Sequence, residues 1–149
     1  MEETKKKSVY ELVKEISNLL TEALSVVKEY EKTIDMEKIQ KKLKISVNPV
    51  ATILEDVKIE VNTIIEDERI QKRYKDFPEV YEKCRDIMED IEKELKASIY
   101  ILQIYKYYEM VENTTNLDFL KVNSMLEVLV NKVSENKETI KTIVPSSKK

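Results

Sequence analysis

"SVYELVKEISNLLTEALSVVKEYEKT", Ser8 to Thr33, decides the architecture. Its apolar residues are Val9, Leu12, Val13, Ile16, Leu19, Leu20, Ala23, Leu24, Val27 and Tyr30. They recur at i, i+3, i+4 and i+7, the period of a helix with one buried stripe. Ser8 followed by Glu11 has the spacing of a capping box, so the helix is expected to start at Ser8 and reach about Thr33.

The same period returns three times. Asn48-Pro49 predicts a helix start with proline in the first helical position. The stripe Val50, Ile53, Leu54, Val57, Val61, Ile64, Ile65 then carries the helix to about Tyr74. Asp76 and Glu79 repeat the capping-box spacing around Pro78. They open a third helix without an internal breaker from Phe77 to about Glu112. Its stripe is Val80, Tyr81, Cys84, Ile87, Met88, Ile91, Leu95, Ile99 and Leu102. Asn113 suits a left-handed helix end where glycine is more usual. The fourth helix spans about Leu117 to Ile143 through Phe119, Val122, Leu126, Leu129, Val133 and Ile140, and Pro145 stops it. Between the first two helices, Asp35 to Ser46 reads as one or two short helical turns carrying Ile39 and Leu43. The expectation is an all-α, antiparallel, up-down-up-down four-helix bundle with a short extra helical segment between helices one and two. Residues 8–144 form the domain, with residues 1–7 and 145–149 as flexible tails.

Composition narrows function mostly by exclusion. The 149 residues hold 26 basic and 29 acidic side chains, for a net charge of -3. That balance favours neither nonspecific nucleic-acid binding nor a membrane surface. Glycine is absent, which removes the phosphate-cradling loops and the tight hairpins of strand-rich folds. Histidine is absent too, and with it the commonest general base and metal ligand. Cys84 is single and lies on an apolar stripe, so it reads as a small core residue. The acidic runs Glu66-Asp67-Glu68 and Glu89, Asp90, Glu92, Glu94 fall on polar faces and read as solvated surface. No enzyme chemistry, cofactor, metal site or small-molecule substrate is expected. No signal peptide or membrane span is apparent, and a cytoplasmic location follows as an expectation. Abundant Lys, Glu and Ile with one cysteine suit a thermophile, such as an archaeal or viral regulator, and equally an AT-rich genome.

One stretch exceeds what a core requires. "ASIYILQIYKYYEM", Ala97 to Met110, holds four of the eight tyrosines. Beside the main stripe runs a second one, Ala97, Ile101, Ile104, Tyr108 and Val111. The start of helix four adds Leu117, Leu120, Met125 and Val128. Up-down topology would bring these halves to one end of the bundle, with Asp35 to Ser46 beside them. The short segment could fold over this surface, leaving tyrosine hydroxyls in water. Alternatively, part of it stays open for a protein partner or a second copy, through Tyr100, Ile101, Ile104, Tyr105, Tyr107, Tyr108, Leu120, Met125 and Val128. A third use, stacking of nucleic-acid bases, would call for a basic groove, and only Lys106 lies in the stretch.

A second candidate lies at "IQKKLKISVNPVATIL", Ile39 to Leu54. Ile39, Leu43, Ile45, Ser46, Val50 and Leu54 stand at the packing and turn spacing of the helix-turn-helix family, which this segment resembles. The resemblance implies a recognition helix in the major groove beginning near Asn48. Asn48 and Thr52 would read bases, and Lys41, Lys42 and Lys44 would contact phosphates. Gln40 and Lys44 stand where the family has a small residue and a turn glycine. Glu55, Asp56 and Glu60 lie on the implied recognition helix. The first expectation is therefore a non-enzymatic interaction module, an accessory subunit or regulator. The alternative is a nucleic-acid-binding regulator.

Overall fold

A computed structural model of the protein describes residues 8–44, 49–68, 78–111 and 118–143. Five helices appear among these residues: α1 (Val9–Lys32), α2 (Met36–Leu43), α3 (Val50–Ile65), α4 (Pro78–Val111) and α5 (Asp118–Ile143). No strand occurs among the described residues. α4 pairs most extensively with α5, and α1 with α3. α1 also packs on α4 and α5, and α3 on α4. This packing is compatible with a helical bundle. Asn48, Asp76, Asn113 and the two tails lie outside the described residues.

α1 starts as its sequence dictates. The Ser8 hydroxyl accepts from the Glu11 N–H at 3.1 Å, and the Glu11 carboxylate accepts from the Ser8 N–H at 3.2 Å. Two otherwise orphaned donors are satisfied reciprocally. All ten stripe residues are buried, together with Val26 and Ile34. They join buried residues from every other helix in one cluster, which includes Ile39 of α2, Leu54 of α3, Ile91 of α4 and Leu126 of α5. A fully buried aliphatic side chain of this kind contributes roughly 1.5–3 kcal/mol. Tyr30 is buried with the stripe, as its position implies. It is fully buried, and its hydroxyl has no partner among the described residues. Burial, with the nearby Glu31 charge, pushes its ionisation far upward.

Two helix boundaries differ from expectation. α3 was expected to run to about Tyr74, but it ends at Ile65 with Glu66 as C-cap. No basic residue occupies its last turn, and Glu66, Asp67 and Glu68 follow. Carboxylates at a helix C-terminus oppose the macrodipole, and the apolar stripe also stops at Ile65. At the other end, Pro49 is the N-cap, with extended backbone, and supplies no side-chain cap. Glu31 of α1 replaces it: its carboxylate accepts from the N–H groups of Val50 at 2.7 Å and Ala51 at 3.4 Å.

α2 is the expected short segment. Asp35 caps it by accepting from the Lys38 N–H at 3.2 Å. Lys44 closes it in the left-handed region, φ 58° and ψ 36°, with its N–H donating to the Gln40 carbonyl at 2.7 Å. A chain without glycine has to use another residue here, at a cost of roughly 1–2 kcal/mol.

Candidate interaction surface

α4 turns one continuous face to the core. Val80, Tyr81, Cys84, Ile87, Met88, Ile91, Leu95, Ile101 and Leu102 are buried along it. Ser98 is also buried and bonds the Glu94 carbonyl. Burial raises the Cys84 thiol to about 12, so it stays protonated and unreactive at neutral pH. At about 100° per residue, Glu89, Lys93, Lys96, Tyr100, Ile104 and Tyr107 fall on the opposite face. The first three are charged and exposed. Beyond them the outer face turns apolar: Tyr100 is 62% exposed and Tyr107 64%, with Met110 exposed nearby.

α2 lies against this apolar part. The Lys42 ammonium sits 4.7 Å from the centroid of the Tyr108 ring, within cation–π range. Leu43 shares a shallow groove with Tyr100, Gln103, Ile104, Tyr107 and Tyr108. The short segment therefore covers part of the tyrosine surface and leaves Tyr100 and Tyr107 largely in solvent.

The nine residues expected to meet a partner are not one patch. Tyr100, Ile104, Tyr107 and Tyr108 converge in the groove beside α2. Ile101 is buried and belongs to the core. Tyr105 packs on the core with its ring edge-on to Phe119 of α5, centroids 5.2 Å apart. Leu120, Met125 and Val128 are exposed on α5. Leu120 and Met125 lie about 140° apart around that helix. Met125 lines a different groove, against Ser25, Val26 and Glu29 of α1 and its C-cap Thr33.

In the helix-turn-helix-like segment, Lys41, Lys42, Lys44 and Thr52 are exposed, and Asn48 lies outside the described residues. The left-handed backbone at Lys44 is what the family's turn glycine would adopt. The electrostatics of α3 work the other way. Its N-terminus is occupied by the Glu31 carboxylate, where a phosphate would otherwise find free N–H groups. Glu55, Asp56 and Glu60 are exposed along it. Glu55 pairs with Lys28 at 3.1 Å and Glu60 with Lys83 at 3.2 Å.

One polar cluster was not anticipated. Glu92, read as solvated surface, is only 12% exposed in its side chain and bonds both Lys137 and Ser134 of α5. Those two hydrogen bonds hold its carboxyl at about 2. The bond to Glu92 raises Lys137 in turn. The signal available in sequence was weak, since Lys137 lies 45 positions away. The cluster clamps α4 to α5. No group of His, Cys, Asp and Glu fit for a metal ion occurs among the described residues. No described helix is long and apolar enough to cross a membrane. Comparison with protein families, curated proteins and solved structures found no match.

Proposed function

We propose that this chain is a non-enzymatic interaction module, an accessory subunit or regulator of a larger macromolecular assembly. Its helices would form an antiparallel up-down-up-down bundle with α2 inserted between the first two long helices. Docking would use the outer face of the second half of α4. The observation that carries this reading is the exposure of Tyr100 and Tyr107 on a face that is charged earlier in the same helix. Tyrosine brings large apolar area and a hydroxyl for orientation at little entropic cost, which is why it anchors interfaces.

The test uses the whole protein as bait in extracts of its native cell, at low and high salt. A Tyr100→Ser/Tyr107→Ser double variant serves as the comparison. A partner held by the wild type at high salt and lost by the variant is the expected result. Equal retention by both baits would overturn the assignment. Light scattering over a range of concentrations shows whether the captured partner is a second copy. The alternative, a nucleic-acid regulator using Lys41, Lys42, Lys44 and Thr52, draws support from the turn geometry at Lys44. It would reveal itself by affinity that falls steeply with salt.

A further inference from the structure

Acid and base meet twice across the seam between α1 and α5. In one place Glu22 and Lys132 pair at 3.7 Å. Two turns further along α1, Glu29 and Lys121 line one cleft of about 220 Å³ and do not pair. Neither side chain has a hydrogen bond or ion pair among the described residues, and the Ser25 hydroxyl beside them has none either. The inner lining is apolar: Val26 and Val122 are buried, and Met125 is 42% exposed at the rim. The cleft shares no residue with the tyrosine groove.

We infer that this cleft binds a small zwitterion with an apolar body, the chemistry of a free aliphatic α-amino acid. The charges of the site set the class. An unpaired carboxylate and an unpaired ammonium call for an ammonium and a carboxylate in return, so a simple anion or cation would satisfy only half of it. The buried valines and the adaptable thioether of Met125 then receive an aliphatic group. The volume suits a molecule of that size, since a cavity of roughly 150 Å³ already admits benzene. At Glu22 and Lys132 the same two helices close an acid–base pair directly. A direct Glu29–Lys121 bridge is therefore the rival use of these two charges. The inference goes beyond the docking role proposed above and does not depend on it.

The experiment titrates the ¹⁵N-labelled full chain into the millimolar range with L-leucine, leucinamide, 4-methylpentanoate and glycine, reading amide shifts. Leucinamide lacks the carboxylate, 4-methylpentanoate lacks the ammonium, and glycine lacks the apolar group. Leucine should move the amides of Val26, Glu29, Lys121 and Met125, and bind about fivefold more tightly than each of the others. Lys121→Gln should bring leucine down to the level of leucinamide, and Glu29→Gln to that of 4-methylpentanoate. Both positions are exposed, so the variants keep the fold, which the remaining amides report. Leucine binding no tighter than leucinamide or 4-methylpentanoate would overturn the zwitterion. Glycine matching leucine would overturn the apolar contact and with it the class of ligand. Silence at these amides with every probe would overturn the site. Shifts at Glu29 on Lys121→Gln, in a chain that leucine does not move, would assign both charges to the direct bridge. None of these outcomes touches the tyrosine face, which the bait comparison judges separately.

Discussion

The two halves of α4 share an inner face and differ in the outer one. Up to Lys96 the outward positions are Glu89, Lys93 and Lys96. Beyond it they are Tyr100, Ile104 and Tyr107, while Ser98, Ile101 and Leu102 continue the buried side. Core packing accounts for Tyr105 but not for Tyr100 and Tyr107, because the first half buries its inner face with charges outside. α2 explains part of them, through Lys42 on Tyr108 and Leu43 in the groove. What remains uncovered is the surface proposed to dock.

The comparison breaks most visibly if the inner faces are not equivalent. Ile91→Ala in the first half and Leu102→Ala in the second each remove a fully buried side chain. Each should cost about 3 kcal/mol in urea unfolding. A cost near zero at Leu102 would mean the second half is not anchored to the core. The clamp at Glu92 belongs to the first half alone and should show in the pH dependence. Its carboxyl is lowered from the ordinary 4.5 to about 2, chiefly by Lys137 and Ser134. The stabilisation is thus present above about pH 4.5 and is lost as pH falls toward 2. Glu92→Gln should remove about 1 kcal/mol at neutral pH and flatten the stability loss across that interval. An unchanged acid profile would mean the pair forms in neither condition.

A comparable effect is expected at Glu31, whose carboxylate holds the start of α3. Glu31→Ala should cost roughly 1 kcal/mol, the usual worth of an N-cap. It should also speed amide exchange in α2 more than in α5. Uniform exchange across all helices would show that α2 does not depend on this cap.

Much of this organisation was legible because helix burial follows local periodicity. Every stripe residue of α1 is buried, and the Ser8–Glu11 capping box forms as its spacing implies. What failed was non-local. The cap of α3 comes from Glu31, 19 positions upstream, and the partner of Glu92 lies 45 positions downstream. Tyr30 and Tyr107 have the same side chain, yet one is fully buried and the other 64% exposed. Stripe position separates them, since Tyr30 continues the inner stripe of α1 and Tyr107 falls outside that of α4. The site was half legible: the tyrosine stretch drew notice, but its contact with Lys42 and its groove with Leu43 needed the folded chain. Grouping Leu120 and Met125 together overlooked the rotation between them.

The smallest expected effect is the most discriminating. Tyr107→Ser removes a ring that is mostly in solvent already, so stability should change by less than about 0.5 kcal/mol. Lys93→Ala, on the charged half of the same face, should fall within the same range. If both are neutral for folding, only the tyrosine change should alter what the protein binds. A loss above about 2 kcal/mol at Tyr107 would be the signature of a core residue. The outer face of α4 would then be covered by its own chain, and no partner would be needed to account for the tyrosines. Urea unfolding of these two variants, at a concentration where light scattering reports a single species, separates the cases directly.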